Sequence, residues 1–336
     1  MKYVLFQLFL GILIAGCGPS LPEGCPPNCA SQNLSGRNLE GVDISEAKLM
    51  DANLTKANLV RADLTNANLT GANLNEADLQ NAILNGALLV GANLSLSNLR
   101  DTLLENVDMR GANLRSASLS RVDLKTARME GVFMQGAILI GSDLSRVDLS
   151  GVELDDANAS GANLSDADLQ GSVISLSNFN GANMQNSSIS GAWLNLTQLV
   201  GANLSDVDLS GSILFGADLT GAILTNARLN GTLLIGANLS GADLRGADFT
   251  GAQLIVPNPP GTRDDFSYET LSGEEFLTAL NQTELWKALN DSRVSNLTEV
   301  RLKPIIHDTI LNGVIYDQDT IWPLGFEIPP SAILQE

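Results

Sequence analysis

Histidine occurs once in 336 residues, aromatic side chains make up only 4%, and 19 Lys and Arg face 38 Asp and Glu. Each scarcity removes a class of protein. His307 is the lone histidine, and no Ser, Cys or Lys stands in a nucleophile motif around it, so a catalytic triad has nothing to build on. A net charge of −19 cannot neutralise phosphate, which excludes nucleic acid and anionic headgroups as electrostatic partners. A charge-driven partner is expected to be a basic protein. Glycine-rich phosphate loops are absent, because each glycine is followed by a small residue and not by Lys and Ser/Thr. With so few aromatics, an ordinary globular core is not expected at this length, and internal repeats become the first pattern to look for. No enzyme activity and no cofactor are expected.

Long apolar runs are missing too. Val4 to Ile14 is too short to span a bilayer, and with Lys2 before it residues 1–16 read as a signal peptide. The run ends in Leu13-Ile14-Ala15-Gly16-Cys17, which resembles the lipobox of bacterial lipoproteins. That resemblance implies lipidation of Cys17, a tether over residues 17–31, and an exported protein held by lipid at the cell membrane or outer membrane, facing the periplasm or outside. A plain secretory signal is the alternative. Gly18 follows the cysteine where inner-membrane retention would use Asp, so the outer membrane is the default. Export places Cys25 and Cys29 in an oxidising compartment, where a small disulfide loop is expected. Metal binding is the weaker reading, since two thiolates without a nearby histidine do not complete a tetrahedral site.

What the chain has in abundance is a period of five. From Leu34 to Leu254 an apolar residue recurs every fifth position without insertion, and a small residue, mostly Ala, stands two before it. Period five suits neither a helix nor a simple strand, so the chain must turn after every few extended residues. Segments such as Ala52-Asn53-Leu54-Thr55 and Ala72-Asn73-Leu74-Asn75 resemble the A-(N/D)-L-x-x pattern of the pentapeptide-repeat family. The resemblance implies an all-β solenoid over residues 32–255: a right-handed quadrilateral β-helix with four pentapeptides per coil. About eleven coils would then form a rod on the order of 50 Å long. The central Leu and the small residue before it would point inward. Short polar residues around them would bond nearby backbone, which makes the Asn-Leu-Ser and Asn-Leu-Thr triplets structural. Calcium binding is not expected, as the Gly-Gly-x-Gly-x-Asp signature is absent. Ala159 replaces one central Leu, and a void is expected there, with Ala159→Leu stabilising.

Four repeats per coil would stack residues twenty apart on one side. One such column turns from Asn53, Asn73, Asn93 and Asn113 to Phe133, Glu153, Val173, Trp193, Ile213 and Leu233, with Phe215 and Ile235 beside it. This apolar strip is a candidate interaction or cap-docking patch, expected to be overlaid by the C-terminal segment, with a protein partner or second copy as the alternative. Between Arg146 and Arg228 no base occurs, while Asp148, Glu153, Asp155, Asp156, Asp166, Asp168, Asp206, Asp208 and Asp218 form an acidic surface.

A Pro-rich linker over 256–270 ends the repeat. Residues 271–336 are expected to be a small α-helical cap: Ser272 to Asn290 carries a helix cap and the stripe Phe276, Leu277, Leu280, Leu285 and Leu289. The ending resembles the Gly-Ala-x-Tyr-Asp-x-x-Thr-x-Trp-Pro-x-Gly-Phe segment that follows pentapeptide repeats in many bacterial proteins. Asn312 to Tyr316 reads as one last modified repeat closing the coil, with Trp322, Pro323 and Phe326 as packing residues. The expected function is a scaffold or protein-interaction surface, monomeric or homodimeric. The alternative, carried by the family's best-known members, is an acidic DNA mimic that binds DNA gyrase or another basic DNA-binding partner.

Overall fold

The structure is a computed structural model that describes residues 21–22, 24–254 and 309–335, in two compact units, 1–133 and 134–336. Cys17 and the expected helix over 272–290 lie outside the described residues. In both units the chain turns every five residues and forms a parallel bridge to the residue twenty further on. Asn53, Asn73, Asn93 and Asn113 are joined this way in the first unit, and Asn163, Asn183, Asn203 and Ile223 in the second. A repeat of twenty in fives makes a four-sided coil. Leu54 N donates to Asn73 O at 2.7 Å and Asn73 N donates to Ala52 O at 2.9 Å, so each side contributes its backbone groups to the neighbouring coils.

The central residues are buried, and so are the small residues two before them except at the first coil and at Ala127, as at Ala52, Leu54, Ala192 and Leu194. Two leucines facing inward on each side would overfill the interior, which is why one of the pair is small. Where Ser or Thr takes the small position, its hydroxyl can donate to a carbonyl, although the buried Ser172 hydroxyl has no partner among the described residues. Ser97 Oγ reaches Leu94 O at 2.6 Å, Thr197 Oγ1 reaches Ile174 O at 2.9 Å and Ser212 Oγ reaches Ile189 O at 2.6 Å. At Ser97, Thr197 and Ser212 the hydrogen bond offsets the desolvation cost of burying the hydroxyl.

Each corner needs a residue in the left-handed region, two after the central one: Lys56, Arg61 and Leu96 have φ of 57°, 58° and 61°. Glycine enters that region without a steric cost, which explains the frequent Gly before the small residue. The outward Asn or Asp accepts from the backbone N–H two residues on, as Asn53 Oδ1 does from Thr55 N at 3.1 Å. Amides also stack between coils, with Asn93 Nδ2 donating to Asn73 Oδ1 at 3.2 Å.

The regular column explains Ala159 differently from the expected void. Ala159 N donates to Asn178 O at 2.7 Å, which sets its side chain directly against that of Phe179 in the next coil, and both residues are 0% exposed. A small and a large residue thus share the space of two leucines.

Among the described residues the one that continues the ladder from Leu254 is Thr309, whose N–H donates to Leu254 O at 2.8 Å. Ile310, Ile315 and Ile321 then bridge to Asn238, Asp243 and Asp248, so 309–321 supplies three sides of a terminal coil. The expected last repeat is in register: Gly313 is left-handed at φ 64° and Val314 fills the small position at 0% exposure. The third side needs one more residue, and Asp317 holds it. Its Oδ1 accepts from Gly246 N at 2.9 Å, Asp319 N at 3.1 Å and Thr320 Oγ1 at 3.1 Å. Trp322 stacks on Phe249 at 5.3 Å and on Phe326 at 5.4 Å, with Tyr316 edge-on at 5.9 Å. One further layer follows, as β1 (Ile315–Tyr316) pairs in parallel with β2 (Ile333–Leu334).

Ala159→Leu is expected to destabilise by about 1–3 kcal/mol through overpacking, and adding Phe179→Leu to recover most of the loss; thermal unfolding of the pair decides. The Gly246 amide, followed by the Thr320 and Asp319 groups, holds the Asp317 carboxyl below its ordinary value. A depressed carboxylate contributes its stability above the unfolded value of about 3.9 and loses it as pH falls further, so Trp322 emission should change only below about pH 4. Asp317→Asn keeps the acceptor and should shrink that acid transition.

Candidate functional site

Two sides of the second unit differ in chemistry from the rest. On one, Asp148 bridges to Asp168, Asp168 to Ser188 and Ser188 to Asp208, which places three of the nine predicted acids in one column. Asp166 and Asp206 occupy the left-handed corners beside that column, at φ 58° each. Arg146 and Arg228 stand at its two ends, at 3.9 Å from Asp166 and 3.4 Å from Asp208, and these exposed pairs contribute little to stability. Burial would raise the Asp208 carboxyl, but the Ser210 hydroxyl and amide and the Arg228 charge hold it below its ordinary value. Glu153 and Asp155 are not part of this group, since Glu153 bridges to Val173 on another side. Asp156 follows them at the next corner, and Asp218 lies on a third side, between Gln198 and Asn238.

The other distinctive side is apolar. Val173, Trp193, Ile213 and Leu233 are joined in register, and Phe215 and Ile235 lie on the same side two residues after Ile213 and Leu233. Val173 and Leu233 are buried, and Phe215 and Ile235 are completely so, although all four face away from the coil's interior. The segment expected to overlay this side lies outside the described residues. Phe133, the seventh residue of the predicted patch, belongs to the first unit, where it is partly exposed with the Arg115 guanidinium 4.6 Å above its ring. At the N-terminus Cys25 and Cys29 form a disulfide with Cα atoms 4.9 Å apart, and Cys29 is buried at the first central position.

The pentapeptide-repeat family model, described as Pentapeptide repeats, matches the chain in 8 copies between residues 28 and 251. The chain is a pentapeptide-repeat protein. Members of this family fold as right-handed quadrilateral β-helices and are generally non-enzymatic structural or interaction proteins. Among solved structures, HetL, a pentapeptide-repeat protein involved in heterocyst differentiation regulation from the cyanobacterium Nostoc, is 32% identical over 68% of this chain and 87% of its own, with a TM-score of 0.26. QnrB1, a plasmid-mediated fluoroquinolone resistance protein, is 22% identical over 43% of this chain and 74% of its own, with a TM-score of 0.37. A thylakoid-lumen pentapeptide-repeat protein from Arabidopsis thaliana is 24% identical over 38% of this chain and 71% of its own, with a TM-score of 0.18. No curated protein matches.

Against the pentapeptide-repeat pattern one corner of the first unit stands out. From Ser31 to Gly251 every corner residue is left-handed except Thr126, which is also the one β-branched residue at that position. A branched Cβ resists positive φ more than Lys, Arg or Leu does. The ladder opens beside it: Asn98 bridges to Ser118 and Asp108 to Arg128, while among the described residues no bridge joins Leu103 to Asp123. The amide of Asn106 donates instead to Thr126 Oγ1 at 2.9 Å, and that of Glu105 to Asn85 Oδ1 at 2.9 Å. A cleft of about 560 Å³ results, with half-exposed Leu103 in its wall and Arg121 at its rim, whose Nε and Nη2 donate to the Asp101 carboxylate at 2.8 Å and 2.6 Å. Sequence reading tracked the central and small positions and passed over the corner, where the Thr alone would have marked this place.

Thr126→Gly is expected to let the corner turn left-handed and close the ladder. Two recovered backbone bonds minus the lost hydroxyl bond amount to about 1 kcal/mol of added stability. Hydrogen exchange at the Leu104 and Asp123 amides should slow, and unchanged exchange with a lower melting temperature would count against this origin of the cleft.

Proposed function

We propose that this pentapeptide-repeat protein is a non-enzymatic, lipid-anchored envelope protein whose coil offers an acidic side to a basic protein partner. The carrying observation is the column of Asp148, Asp168 and Asp208 flanked by Asp166 and Asp206. Side chains held at strand spacing, about 4.8 Å apart along the column, keep a focused negative field that steers a basic surface and fixes its register. The leader over 1–16 and Cys17 support export and lipid anchoring. A second reading, an acidic mimic of DNA that binds gyrase or another basic DNA-binding protein, is favoured by the same stacked carboxylates. It requires the chain to stay in the cytosol.

Two measurements separate these readings. Cys17→Ser should move the protein from the membrane fraction to the soluble exported fraction, whereas a wild-type protein found in the cytosol would favour the DNA mimic. Asp148→Asn, Asp166→Asn, Asp168→Asn and Asp208→Asn together should leave the fold intact, because an amide oxygen still accepts from the Ser150, Gln170 and Ser210 amides. Affinity for a basic partner should fall at least ~10-fold and lose its salt dependence. An unchanged affinity would remove the acidic side from the function.

A further inference from the structure

The apolar side of the second unit is occluded at positions its own coil cannot reach. Residues directly after a central residue point outward, yet Ser175, Asn195, Phe215 and Ile235 are only 2%, 1%, 0% and 0% exposed. Outward residues of similar type on other sides of the same unit behave differently, with Val200 at 38% and Ile223 at 42%. The burial therefore belongs to this side and not to the kind of side chain.

The part of the described terminal segment that joins the ladder lies on the other sides. Residues 309–321 bridge to Asn238, Asp243 and Asp248, which are the three remaining sides, and no described residue bridges onward from Gln253, the last position of the apolar column. Leu254 stands at the end of the apolar side, and Thr309 N and Oγ1 both bond to its carbonyl, at 2.8 Å and 2.9 Å.

We propose that the occupant of this side is residues 255–308 of the same chain. Both ends of that segment are pinned at one corner of the apolar side, which gives it a high effective concentration there compared with any separate protein. Its sequence carries a matching apolar set in Phe276, Leu277, Leu280, Leu285 and Leu289. Contiguous apolar strips such as that from Val173 to Ile235 are rarely left open to water on a monomer. The side is then an intramolecular docking surface, and a second copy or a foreign protein would have to displace the segment to use it.

The test uses the full-length chain with a photo-crosslinking side chain in place of Ile213, and in place of exposed Ile223 as the control. From 213, cross-linked peptides should map to residues 255–308 within a monomer, and from 223 they should not. Cross-links from 213 to a second copy, to another segment, or none above the control would overturn the proposal. Independently, Phe215→Asp with Ile235→Asp should speed trypsin cleavage after Arg263, Lys287 and Arg293 at least ~10-fold, as expected when a docked segment opens locally more often. Cleavage at the wild-type rate in a variant that keeps its coil would also sink it.

Discussion

The parallel backbone ladder between residues twenty apart is the constraint from which the other features follow. For a strand to meet itself one coil later, each side can hold only a few extended residues before the chain bends, and the bend must fall at the same place every time. That requirement puts a left-handed residue at every corner but that of Thr126, and Lys56, Arg61 and Leu96 adopt it because the ladder on either side compensates the local strain. It also fixes the interior width. One Leu and one Ala per side fill the space, and where Phe179 takes a central position its counterpart one coil earlier is the small Ala159.

A ladder that repeats has two open ends, and unpaired strand edges invite association. At the N-terminal end Cys29 takes the first central position within a disulfide loop. At the other end, residues 309–321 supply three sides of one more coil. Its irregular third side is held by the Asp317 carboxylate and by the stack of Phe249, Trp322 and Phe326. Thr126 shows the opposite case, an interior corner where the ladder gives way because one branched side chain does not take the required backbone angle.

The same register gives each side its own chemistry. Side chains twenty apart share a side, so substitutions at one residue of the repeat accumulate into a column. In the second unit one column became acidic and another apolar. Convex sides of this kind hold charge and shape in fixed positions, which suits recognition of another surface better than the desolvation and pKa tuning that catalysis requires.

Much of this was legible in the residues themselves, because the period of five maps directly onto inward and outward positions: Leu54 and Ala52 had to be inside, and Asn53 had to face its stacked neighbours. The terminal repeat at Asn312 to Tyr316 was equally readable. Other features were not, and the physical reasons differ. The corner angle leaves only a statistical trace in composition, so Thr126 passed unmarked, and the apparent void at Ala159 depended on the volume of a residue one coil away. Nine acids scattered along the chain could be sorted into one true column and several bystanders only once the sides were known. The sequence by itself determined the repeat, its inward face and the columns, because these depend on spacing alone. Tertiary structure alone decided that Thr309 rejoins the coil at Leu254 and that the apolar side is buried, because both depend on contacts between residues far apart in the chain.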